Sequence, residues 1–141
     1  MSNTSINKSV FFRALREVVW EFLTDKDKLG EWYHPALDSL SADTEYSLVK
    51  SEGAGEKTPL ITGRVLEFEP PTKLVTTFVI GPFQGKETTI TWVLEEVAGG
   101  TKLALTHEGI AEASGGAALD LMMALDKGWD EHFATLRVAV N

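Results

Sequence analysis

Three histidines, His34, His107 and His132, are the side chains of this sequence best suited to proton transfer or metal binding near neutral pH. Their spacing argues against a metal. No pair stands at a ligand spacing such as His-x-x-x-His. His107 precedes a long helical segment, and His132 lies roughly four turns along it, so convergence of the three is not expected. Glu67 and Glu69 are two apart on a strand-like run and share a face. Turned inward they would be a carboxylate pair with raised pKa values. Beside Pro70-Pro71 they read instead as the exposed end of a strand. The chain has no cysteine, which removes thiol nucleophiles, disulfides and thiolate zinc sites together. There is no Gly-x-Ser-x-Gly elbow. The pairs Gly99-Gly100 and Gly115-Gly116 match neither a phosphate loop nor a dinucleotide fingerprint. No catalytic residue, metal or cofactor is assigned.

Binding is the better-supported chemistry. Four tryptophans stand in a chain of 141 residues. An aromatic-lined cavity would use them, and so would an ordinary core. Trp20 and Trp129 read first as packing. Trp32 and Trp92 fit either role equally. His107, at the end of an inward row, either meets a ligand at a cavity mouth or bonds the following loop, and the second is the commoner behaviour of such a histidine. His132 lies on an apolar helical stripe and needs a hydrogen-bond partner there.

The elements that position these residues follow from periodicity. Residues 5–12 form a β-prone run. Val19, Phe22 and Leu23, then Leu29, Trp32 and Tyr33, fall at helical spacing. Two short helices are placed at 16–24 and 25–33, with Thr24 and Asp27 as a capping box between them. Strand-like runs follow: 37–40 and 45–49, both weak, then 60–69, 74–80, 87–97 and 101–108. They are separated by the polar loop 51–57, Pro70-Pro71, Gly81-Pro82 and the hairpin pair Gly99-Gly100. Alternation puts Ile90, Trp92 and Leu94 on one face, with Leu103, Leu105 and His107 beside them. After a small-residue loop at 109–116, a helix runs from 117 to about 139 with Leu121, Leu125, Gly128, His132 and Leu136 in one stripe. Glycine inside a helix costs roughly 1 kcal/mol relative to alanine. The reason expected at Gly128 is close approach of helix and sheet, with Trp129 filling the gap beside it. The whole chain, 1–141, reads as one α+β domain: a curved antiparallel sheet of about six or seven strands, two short helices after the first strand, and a long C-terminal helix.

The net charge of −8 disfavours nucleic acid and anionic lipid as partners. No apolar run approaches the ~20 residues of a membrane helix. The opening residues show no signal pattern, so a cytoplasmic location is expected.

Four motifs together resemble one family. They are Val19-Trp20-Glu21-Phe22-Leu23-Thr24-Asp25 followed by Trp32; Gly63 to Val75; Gly100 to Gly109; and Gly128-Trp129 followed by Phe133 and Leu136. Their order and spacing resemble the group named after the C-terminal domain of the activator of the Hsp90 ATPase, within the START-like (SRPBCC) superfamily. The chain departs from the pattern at Leu15, where proline is usual, and at 41–46, where paired glycines are usual. The resemblance implies a helix-grip fold, with the sheet wrapped around the C-terminal helix and a cavity between them. It implies a small hydrophobic molecule as partner, with a chaperone-binding module and a cavity enzyme such as a cyclase or hydrolase as the alternatives. The expected binding residues are Trp32, Trp92, Leu103, Leu105, His107, Leu121, Leu125, Trp129 and His132, with loops 50–58, 81–86 and 109–116 at the mouth. Compact domains of this sort also form homodimers through sheet edges or helices.

Overall fold

The structure, a computed structural model, describes residues 5–49 and 59–140. Strand β1 (Ile6–Phe12) is followed by helices α1 (Arg16–Thr24) and α2 (Lys26–Trp32). Five strands come next: β2 (Glu45–Val49), β3 (Pro59–Glu69), β4 (Lys73–Phe78), β5 (Thr88–Val97) and β6 (Gly100–Glu108). Short helix α3 (Ile110–Ser114) then leads into the long helix α4 (Ala118–Val140). The six strands form one antiparallel sheet in the order β1-β6-β5-β4-β3-β2. This is the α+β helix-grip arrangement.

Period-two alternation decides the sheet faces. Ile90 pairs with His107, Trp92 with Leu105 and Leu94 with Leu103, so six inward side chains stand directly opposite one another. All six are buried. On the other face Glu95 pairs with Lys102. Helix α4 lies against the inward face through Trp129, Phe133 and Leu136, spaced four and three apart. Lys8 of β1 reaches this helix as well, with its ammonium 2.7 Å from Asp126 and 2.9 Å from Asp130, one turn apart. Among the described residues no helix is long and apolar enough to cross a membrane.

Several local expectations are corrected. The break between α1 and α2 is capped by Asp25, whose carboxylate accepts from the amides of Asp27 and Lys28. Thr24 bonds back to the Trp20 carbonyl instead. Residues 37–40 form no strand. The Leu37 amide donates to Ser47 O and the Leu40 amide to Thr24 O, so this backbone is spent on joining β2 to the end of α1. Residues 110–114 are helical rather than loop, which suits their alanines. Loop 50–58 lies outside the described residues.

The largest correction concerns Gly128. A Cβ built there meets nothing within 4 Å, so the helix does not touch the sheet at that point. Backbone-distance contacts occur elsewhere. At Gly100 a Cβ would collide with the Phe12 carbonyl, and at Gly63 with the Thr77 carbonyl and the Tyr46 ring. Gly63 lets Tyr46 lie across β3 and donate its hydroxyl to Thr77 O of β4.

Candidate functional site: a cleft outside an aromatic partition

Among the described residues, the spaces between the sheet and helices α2 and α4 include two that share a wall. The outer one is a cleft of about 150 Å³. The end of α2 supplies Tyr33 and His34, the sheet supplies Ile61 and Phe78, the segment after β4 supplies Ile80, and α4 supplies Leu125, Gly128, Trp129 and His132. The inner one is a cavity of about 30 Å³, bordered by Trp32, Tyr46, Leu74, Thr76, Ile90 and Trp92 among others. Tyr33, Phe78 and Trp129 border both and form a partition. The sizes decide what each can hold. A water needs roughly 10–15 Å³ of such volume, and a cavity near 150 Å³ accepts a benzene-sized ring. The inner space suits a water or two, and the outer one a single ring.

The interior is filled by the aromatic residues themselves. Trp92 meets Trp32 edge-on at 6.2 Å and Trp129 edge-on at 5.7 Å. The Trp32 indole donates to Phe22 O at 2.8 Å. Tyr46 borders the inner cavity, and burial pushes its phenol up to about 12. Burial, with Tyr46 nearby, also raises the Tyr33 phenol well above its ordinary value.

His107 is fully buried and has both ring nitrogens occupied. The Trp129 indole N–H donates to Nδ1 at 3.2 Å. An indole can only donate, so Nδ1 carries no proton and Nε2–H donates to Thr88 Oγ1 at 2.9 Å. Thr88 in turn donates to Phe78 O at 2.8 Å. Burial pushes the His107 pKa down to about 4, which keeps the ring in the neutral form that this relay requires.

His132 and His34 sit together at the cleft, their ring centroids 5.6 Å apart. His132 also lies edge-on to Tyr33 at 4.5 Å. His132 Nδ1 is 3.3 Å from Trp32 O. Burial lowers the pKa of both rings, and for His34 the neighbouring His132 adds to the effect. Two of the three histidines thus meet, while His107 stands in the core with partners of its own. Among the described residues no group of three or more metal-ligating side chains forms.

The structure thus distributes the sequence-predicted residues. Trp32 and Trp92 border the inner cavity, Leu125 and His132 the cleft, and Trp129 both. Leu103, Leu105 and His107 are buried in the core and border neither space, and half-buried Leu121 packs against that core. Tyr33, His34, Ile61, Phe78 and Ile80 were missed. Phe78 had a signal, because it alternates with buried Leu74 and Thr76 along β4. His34 had none, since it lies in an irregular segment. Glu67 and Glu69 are exposed, and Glu67 pairs with Lys73 at 3.3 Å.

A curved sheet gripping a long helix, with a cleft at the end of α2, defines a helix-grip domain. The chain belongs to the family of activator of Hsp90 ATPase homolog 1-like proteins, whose model matches residues 13–141. No curated protein matches it. Among solved structures it is similar to an Hsp90 activator from Plasmodium falciparum, at 22% identity over 96% of this chain and 95% of that one, TM-score 0.76. It is similar to the Aha1 dimer from Colwellia psychrerythraea, at 19% identity over 96% and 95%, TM-score 0.75. It is also similar to CalU16 from Micromonospora echinospora, at 20% identity over 97% and 76%, TM-score 0.75. At these identities the likeness concerns the fold.

Proposed function

We propose that this chain binds a small apolar molecule, about one aromatic ring in size, in the cleft between β3, β4 and α4, without acting on it chemically. The observation that carries this reading is the space at Gly128. The helix stripe facing the sheet drops its side chain there, and the room a Cβ would enter is empty. A cleft of about 150 Å³ walled by Ile61, Phe78, Ile80, Leu125 and Trp129 leaves apolar side chains facing water, and a bound apolar molecule would cover them.

Toluene titrated into isotope-labelled protein tests this. Shift changes are expected to concentrate on Ile61, Ile80 and Leu125, and Gly128→Leu, which fills the cleft, is expected to abolish them. Saturation at other residues, or binding that Gly128→Leu leaves intact, would overturn the reading.

Family membership favours a second reading, a protein-interaction module acting on a chaperone. Stimulation of an Hsp90 ATPase by this protein would support it, and an unchanged rate would remove it. A homodimer is proposed on the likeness to the Colwellia protein, and sedimentation equilibrium decides that by mass.

A further inference from the structure

The polar groups of the cleft restrict what kind of ring it takes. His132 Nδ1 stands 3.3 Å from the Trp32 carbonyl. A carbonyl oxygen only accepts, so Nδ1 holds the hydrogen. The ring is half-buried, and burial favours its neutral form. A neutral imidazole has one N–H. Nε2 is therefore a lone pair, and it has no hydrogen-bond partner among the described residues. It is a ring nitrogen left for a ligand, on a residue that lines the cleft together with His34 and Tyr33.

The rest of the lining narrows the choice. Tyr33 lies edge-on to the imidazole and Trp129 is 6.2 Å from it, so the ring is held between aromatic neighbours. Phe78, Ile80 and Leu125 offer no polar side-chain atoms. The volume fits one aromatic ring.

Resting on the binding reading above, we propose that the molecule taken by the cleft is a hydroxyl-bearing aromatic ring, a phenol, whose O–H donates to His132 Nε2. The hydrocarbon face of such a ring meets Phe78, Leu125 and Trp129. At His132 Nε2 a carboxylate on the same ring would bring lone pairs to a lone pair, whereas His34 and Tyr33 of the same lining carry donors, so a preference between phenol and carboxylate reports which group the ligand meets.

The test compares 4-methylphenol, toluene and 4-methylbenzoate on the full chain by calorimetry at neutral pH. A hydrogen bond of ordinary strength gives 4-methylphenol about a tenfold advantage over toluene, with 4-methylbenzoate the weakest of the three. His132→Phe removes the acceptor, and the ratio of 4-methylphenol to toluene affinity should collapse to near one. The wild-type ratio decides the matter even if that variant does not fold. Equal affinity for 4-methylphenol and toluene, or a preference for 4-methylbenzoate, overturns the phenol assignment and leaves the cleft reading standing. Failure of both toluene and 4-methylphenol to bind overturns the two together.

Discussion

Trp129 has a histidine on either side, with ring centroids 6.1 Å away for His107 and 6.2 Å for His132, and the fold treats the two differently. His107 has no exposed surface and a partner on each nitrogen. His132 is half-buried and has a backbone carbonyl on one nitrogen only. A buried polar group left without partners costs more than one made apolar, so the first arrangement is what a core demands. The second is tolerable because the ring is only half-buried, on a residue that lines the cleft. Saturation fits the core, while an unfilled capacity on a half-buried ring leaves a group able to meet solvent or a ligand.

The sharpest way to break this contrast is to remove each ring in turn. His107→Ala deletes a buried ring and orphans the Trp129 indole N–H, and the expected loss in denaturant unfolding is about 3 to 4 kcal/mol. His132→Ala, by the same measurement, is expected to cost no more than about 1 kcal/mol. Similar losses at both sites would erase the distinction.

Acid titration separates the two sites next. The folded-state pKa of His107, about 4, lies below the ordinary histidine value near 6.5. The unfolded chain therefore takes up a proton at higher pH than the folded one. The stabilisation is complete above about pH 6.5, declines as pH falls through the window, and is gone below about pH 4. Its size is about 3 kcal/mol. Unfolding free energies followed from pH 7 to 4 should fall by at least that order, since His34 and His132 are lowered by burial too and act in the same direction, and His107→Ala should make this part of the profile shallower. A wild-type profile that is flat over the window would mean that His107 is not held neutral.

The smallest effect concerns the helix. Gly128→Ala adds a methyl to open space and removes the backbone entropy of glycine, so unfolding should become harder by about 1 kcal/mol. A destabilised alanine variant would restore the close-contact explanation that the structure removes.

Much of the architecture was legible because it rests on period. Ile90, Trp92 and Leu94 alternate, Trp129, Phe133 and Leu136 repeat at helical spacing, and the turns carry glycine or proline. The cleft was legible only in part. Leu125 and His132 share the α4 stripe, so their face could be read, while His34 reaches His132 through tertiary packing alone. Gly128 was legible as an anomaly, but its meaning was not. A glycine in a helix reports that a side chain is unwanted. Whether that is because something is too near or because room must be kept is a property of the facing surface. Leu103, Leu105 and Leu121 face inward in the way their pattern dictates, and inward includes the filled core as well as the cleft.

One pairing in the sheet bears on how the chain acquires its shape. β2 through β6 are linked in sequence order by neighbouring antiparallel partners, whereas β1 pairs with β6, joining segments from opposite ends of the fold. Local pairings close cheaply and distant ones late. In refolding monitored by pulsed hydrogen exchange, the amides of β4 and β5 should gain protection before those of β1. Simultaneous protection would contradict that order. On a ribosome, which releases the chain from its N-terminus, β1 emerges before β6 and must wait for it to be made, with Lys8 unable to meet Asp126 and Asp130 until α4 has followed.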